Sequence, residues 1–182
     1  ARQYYHHVAA FPTYLSAVHA NMDDQAARRH VLQNLMDEEA GSPNHPELWL
    51  QFTECLGVAR DDVRNVKLWD ETRCLIDTYR SVCRDPQCGL AALYAYESQI
   101  PAVAESKIDG LRKFYGLNDP SGLAYFNVHI EADREHAATE RTLLESSLND
   151  ANGQRACESV ERVLNSLWDM LSGVCTRHHI PC

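Results

Sequence analysis

Apolar residues recur at three- and four-residue spacing along nearly the whole chain, the pattern of helices that each bury one face. Tyr4, Val8, Phe11, Leu15 and Val18 form the first stripe, and Pro12 inside it predicts a kink. Asp23 or Asp24 can cap a second helix, faced by Val31, Leu32 and Leu35 and stopped near Glu39 by Gly41-Ser42-Pro43-Asn44. A third helix is expected from Pro46 to Val58 and a fourth from Val66 to Cys83. A fifth starts at Asp85-Pro86; its pattern continues past Pro101 to Gly116, which predicts one long kinked helix. A sixth runs from the Asn118–Gly122 turn to Leu148, and a seventh from Gln154 to Leu171. No period-2 strand and no internal repeat interrupts this series, so the expected fold is an all-α bundle, a single domain over 1–182. Residues 175–182 lack periodicity and are expected to form a flexible tail.

Composition narrows the function classes. With 17 basic against 26 acidic residues the formal charge is −9, which argues against nucleic acid and against a polybasic membrane-surface role. No stretch is apolar for long enough to span a bilayer, and no signal-peptide pattern is visible. The seven cysteines include no C-x-x-C pair and read as free thiols, which places the protein in a reducing cytoplasm.

The segment Tyr125–His136 carries the most chemistry. His129, Asp133 and His136 stand at i, i+4 and i+7, on one helical face. Two imidazoles and a carboxylate on one stripe form a ligand set for a first-row metal; the competing reading is a solvated charged face, which Arg134, Glu135, Glu140 and Arg141 show this helix also has. Glu97 stands in an otherwise apolar stretch, where an inward carboxylate must be paired or metal-bound. Its alternative is a surface ion pair. Glu38 closes one helix and His45 opens the next, so a tight loop can aim both into one cavity, or they are an ordinary acidic helix end and helix start. Together Glu38, His45, Glu97, His129, Asp133 and His136 offer six N/O donors, enough for two non-haem iron or manganese ions with positions open for O2. The ferritin-like pattern of two Glu-x-x-His motifs is absent.

Tyr4-Tyr5-His6 to Phe11-Pro12, Asp37-Glu38-Glu39-Ala40-Gly41 to His45, Tyr96-Glu97-Ser98-Gln99-Ile100-Pro101 and His129-x3-Asp133-x2-His136 resemble the haem-oxygenase-like dimetal oxidases. The nearest subgroup is that of the chlamydial protein associating with death domains, related to PqqC and TenA, and the resemblance runs to about Leu171. It implies a seven-helix haem-oxygenase-like fold, two irons (or manganese, or one of each), and O2 and a reductant as co-substrates. It further implies an oxygenase that forms p-aminobenzoate, the folate precursor, from the protein's own side chains. The six donors match the family's ligands, Lys107 matches a lysine proposed to give the amino group, and Tyr96 and Tyr125 match tyrosines beside the metals. The family's first helix, with the tyrosine thought to be consumed, has no counterpart, so the expected bundle lacks its N-terminal helix. Lys107 follows Glu97 by ten residues, about 1000°, which leaves them about 80° apart on an ideal helix unless Pro101 bends it.

Two other functions are open. The same site could oxidise a small external substrate such as an amino acid or fatty acid, or the chain could be a non-catalytic interaction module. The tail residues Cys175, His178, His179 and Cys182 offer a minority second metal site. Relatives of this fold commonly pair, and a homodimer is expected.

Overall fold

The computed structural model describes residues 1–181, so Cys182 and its part in any tail metal site lie outside the described residues. Among the described residues there are nine helices: α1 (Arg2–Asn21), α2 (Gln25–Glu39), α3 (His45–Cys55), α4 (Arg60–Arg64), α5 (Asp70–Val82), α6 (Pro86–Glu97), α7 (Ile100–Tyr115), α8 (Pro120–Ser147) and α9 (Asp150–Arg177). Their starts are written in the sequence. Asp24, Asn44, Asp85, Asp119 and Asn149 each accept a hydrogen bond from a backbone N–H of the first turn that no helical carbonyl could reach. Gly116 ends α7 at φ +64°, the left-handed conformation that a side chain disfavours.

The expected seven helices with an absent N-terminal helix are corrected. Helix α1 opens the described chain, runs unbroken through Pro12, and packs against α2, α3, α4, α5 and α6. The count differs for two further reasons. The one-turn helix α4 is too short to show periodicity. The long kinked helix is in fact two, α6 and α7, separated at Ser98-Gln99. Pro101 lacks an N–H and would forfeit a bond inside a helix, but it fits the first turn of a new one. The last helix also extends beyond Leu171 to Arg177, whose guanidinium donates to both oxygens of Glu71 at 3.0 Å and lies over the ring of Trp69.

Two apolar clusters fill the bundle. The larger holds Tyr14, Leu15 and Val18 of α1 against Leu75 and Tyr79 of α5, Leu90 and Leu93 of α6, and Val163 and Met170 of α9. The smaller joins Val8, Trp49, Phe52, Ala104, Ile108, Leu123 and Phe126. Helix α8 feeds both, with Leu144 in the first and Leu123 and Phe126 in the second, and its middle lies between them. The start of α6 sits very close to its neighbours. A Cβ on Gly89 would fall 2.5 Å from Val18 Cγ2 and 2.9 Å from the Cys83 Cα. Gly89→Ala is therefore expected to lower unfolding stability by about 1–3 kcal/mol, the cost of overpacking, despite alanine's better helix propensity. A urea midpoint equal to or above that of the parent would contradict the close approach.

Candidate metal centre

The middle of α8 is where the interior turns polar. His129 and Asp133 are 6 % and 2 % exposed, and the His136 side chain is 10 % exposed. Helix α6 brings Glu97, 1 % exposed, from an otherwise apolar surface, while the end of α2 and the start of α3 bring Glu38 and His45. These side chains gather into two triads, Glu38–His45–His129 and Glu97–Asp133–His136, each with one donor atom per residue within 4.8 Å of the others.

The hydrogen bonds show which atoms are free to bind. His129 Nδ1 donates to the Tyr125 carbonyl at 2.6 Å, which leaves the Nε2 lone pair directed at Glu38, 3.9 Å away. His136 Nε2 donates to Asp37 at 3.1 Å, and its Nδ1 faces Glu97 and Asp133 at 3.8 and 3.7 Å with no hydrogen-bond partner among the described residues. His45 Nδ1 lies 2.9 Å from Glu38 Oε2, yet the two are not aligned as donor and acceptor. In each imidazole, then, a nitrogen is turned toward a carboxylate without bonding it. For His129 and His136 the other nitrogen is anchored on an oxygen, the arrangement of a metal-ligating histidine.

Electrostatics point the same way. No lysine or arginine pairs with Glu38, Glu97 or Asp133 among the described residues. Burial and the Asp133 charge hold the Glu97 carboxyl well above the usual range. Burial opposes charge on His136, but Asp133, Glu97 and Asp37 outweigh it and raise its pKa to about 9. His129, more deeply enclosed, is lowered by burial. Buried carboxylates without a cation are costly, and a divalent ion in each triad would relieve that cost. The donor set of three imidazoles and three carboxylates suits first-row divalent metals.

Several site residues were not legible as such in the sequence. Asn34 Nδ2 donates to both Glu97 oxygens at 3.2 Å, and Asp37 holds His136. Both lie within one turn of Glu38 on α2, and that spacing was the available signal. Tyr4 hydrogen-bonds Tyr96, hydroxyl to hydroxyl, at 2.5 Å. The Tyr125 ring stands 4.2 Å from that of His129. Burial raises the pKa of Tyr4 to about 12 and pushes Tyr96 and Tyr125 up as well, so all three keep their protons. Lys107 of α7 turns its Nζ over the Tyr4 ring, 5.2 Å from its centre. It lines both an apolar groove of about 740 Å³ and a small space shared with Tyr96, Tyr125 and His129. Surrounding protein lowers its pKa, an effect tempered by the part of the side chain open to the groove.

His7 is a further buried group beside the site. It is fully enclosed, its ring 5.1 Å from Tyr79 and 5.3 Å from Tyr96, and neither nitrogen has a hydrogen-bond partner among the described residues. Burial lowers its pKa to about 3. An unfolded histidine takes a proton below about pH 6.5, while folded His7 stays neutral, so acid favours unfolding. The metal-free protein is expected to lose about 2 kcal/mol between pH 7 and 5 through this group. His7→Leu should remove that part of the pH dependence in denaturant titrations; an unchanged slope would rule it out.

Residues 1–168 match the family model described as iron-containing redox enzyme. The chain belongs to that family. Among the proteins similar to this chain is the 4-aminobenzoate synthase of Chlamydia pneumoniae, 45 % identical over 174 residues, 94 % of this chain and 77 % of the relative. The 4-aminobenzoate synthase of Chlamydia trachomatis is 41 % identical over 186 residues, 98 % of this chain and 80 % of its own. A Shewanella denitrificans domain with a heme oxygenase-like fold superposes with a TM-score of 0.79 at 20 % identity, covering 98 % of this chain and 77 % of that one. The fold of this chain is thus haem-oxygenase-like, as the resemblance implied, with a helix count that it did not anticipate. No helix among the described residues is long and apolar enough to cross a membrane.

Proposed function

We propose that this protein is a non-haem dimetal oxygenase of 4-aminobenzoate formation, with Glu38, His45 and His129 holding one ion and Glu97, Asp133 and His136 the other. The observation that carries the reading is the convergence of histidine ring nitrogens on buried carboxylates that no lysine or arginine pairs with among the described residues. The 4-aminobenzoate synthases above supply the reaction class. Two irons, or iron with manganese, would supply O2 activation there, with an external reductant.

The chain's own residues set up the rest. Asp37 and the Tyr125 carbonyl fix the tautomers of His136 and His129. Asn34 orients Glu97. Tyr96 and Tyr125, protonated and packed beside the donors, are placed to pass an electron, and the hydrogen bond between the Tyr4 and Tyr96 hydroxyls fixes the orientation of the Tyr96 ring. Lys107 presents a primary amine to this tyrosine cluster, and its lowered pKa increases the neutral, nucleophilic fraction. The spaces beside the triads measure about 10 and 20 Å³. A small-molecule site commonly needs about 300 Å³ or more. This favours reaction of side chains already in place over oxidation of an amino acid or fatty acid lodged at the metals. A non-catalytic interaction module would have no use for six donors turned inward.

Mass spectrometry before and after turnover with Fe(II), O2 and a reductant tests this. One 4-aminobenzoate per chain, with mass lost from a tyrosine side chain and Lys107 altered, is expected. Many turnovers by an unaltered chain would establish an external substrate instead.

The free thiols Cys55, Cys74, Cys83, Cys88, Cys157 and Cys175 support a cytoplasmic location. Exposed Phe114, Tyr115 and Trp168, each more than 60 % accessible, support a homodimer. Light scattering should give twice the 20.6 kDa chain mass; a monomer at micromolar concentration would exclude it.

A further inference from the structure

His7 of α1 is held in a cage of aromatic rings. The ring centres of Tyr4, Phe11 and Tyr14 lie 5.6, 6.0 and 5.8 Å from that of its imidazole, and those of Tyr79 and Tyr96 lie 5.1 and 5.3 Å away. The side chain has no exposed surface. The cage gives it no hydrogen bond. The hydroxyls of Tyr4 and Tyr96 are bonded to each other, and neither imidazole nitrogen has a hydrogen-bond partner among the described residues. A neutral imidazole carries one N–H and one lone pair, so a donor and an acceptor are both left unmatched. Buried polar atoms are nearly always matched, by protein or by a bound small molecule.

His7 also borders the metal centre. It lines the space of about 10 Å³ whose other walls include Glu38 and His129 of one triad and Glu97 and Asp133 of the other. A space of that size takes a guest on the scale of water or O2 and nothing larger. Val8 and Phe11 line it from the same helix and can form no side-chain hydrogen bond, so His7 is the polar side chain that α1 brings to this space. Packing does not account for the choice. A leucine or phenylalanine would fill the cage without desolvating two ring nitrogens. What imidazole adds is a hydrogen bond to whatever stands in the space.

We propose that His7 is a positioning residue of the metal centre, one of its ring nitrogens hydrogen-bonding a small guest, water or a diatomic such as O2, in the space that both triads border. The inference rests on the two-metal reading above. It gives the guest a neutral hydrogen-bonding partner that belongs to neither triad, and it gives the caged imidazole the partner that the protein does not supply.

Nitric oxide binding to the Fe(II)-loaded protein under anaerobic conditions tests this. Nitric oxide is a diatomic of the right size, and its N–O stretching frequency reports hydrogen bonding to it. His7→Phe keeps a ring in the cage and removes both nitrogens; His7→Leu takes its place if that variant does not fold. Iron uptake should equal the parent's, because His7 is in neither triad. Affinity for nitric oxide should fall about tenfold, the worth of one hydrogen bond in a buried site, and the N–O stretch should move to higher frequency. His7→Gln keeps an N–H donor and should restore most of the affinity. Parental affinity and frequency in the folded phenylalanine or leucine variant would overturn the role of His7 and leave the two-metal reading standing. A glutamine variant no better than these would show that shape, rather than a hydrogen bond, governs the guest, and would overturn the proposal as well. A parent that takes up no iron would overturn the two-metal reading itself, and this inference with it.

Discussion

Lys107→Ala is expected to abolish 4-aminobenzoate formation while leaving two metal ions bound per chain. Lys107 belongs to neither triad, so its loss removes no metal donor. Its amine sits over Tyr4, whose hydroxyl meets that of Tyr96, and it borders the small space that reaches Tyr125 and His129. Lys107→Arg should fail as well, because a guanidinium stays protonated and cannot give up its nitrogen as a primary amine. Metal analysis and product chromatography on the same samples separate the two effects. Normal product from Lys107→Ala would refute the nitrogen-donor role and shift weight to an external substrate.

The contrasting large effect is loss of a triad histidine. His129→Ala removes the imidazole whose Nε2 faces Glu38 and should lower affinity for that site's ion more than about a hundredfold, beyond the range usual for residues that only support a ligand. Product formation should fall with it. Stability gives an independent reading. An ion at a hundred times its Kd adds about 2.7 kcal/mol to the parent, and the variant should lose the share of that gain due to one ion. Asp37→Asn, which weakens only the support of His136, should cost about tenfold in affinity and respond to higher metal concentration. A His129→Ala protein that kept both ions and full thermal stabilisation would show that the first triad is not a metal site.

The contrast between α6 and α8 shows what the sequence could reveal. Glu97 was conspicuous because everything around it on α6 is apolar, so a single carboxylate stood out. Helix α8 hides its inward face, since His129, Asp133 and Glu140 occupy buried positions that would ordinarily be apolar. Histidine spacing revealed three ligands there, but Glu140 looked like one more member of a charged surface alongside Arg134, Glu135 and Arg141. Burial, which spacing does not encode, distinguishes it from them. Lys107 illustrates another limit. Counting rotation from Glu97 assumed one continuous helix, and the break at Ser98-Gln99 resets that count, so α7 presents Lys107 to Tyr4 on its own terms. Asn34 and Asp37 carry no such mark, because their roles depend on side chains of α2 reaching Glu97 of α6 and His136 of α8, a tertiary relation that no local pattern states.

Helix α8 is the one element that contributes to both triads, His129 to the first and Asp133 and His136 to the second. His129 and Asp133 are four residues apart, a rise of about 6 Å. The separation of the two triads is therefore gauged by the backbone itself, as marks on a ruler. Exchanging side chains can change which ion binds or how tightly, while this gauge stays in place. One extra alanine after Glu131 would turn everything downstream by about 100°. Asp133 and His136 would swing away from Glu97, while His129 kept its place beside Glu38 and His45. A single inserted residue, with every donor still present in the chain, would dismantle one triad and leave the other assembled.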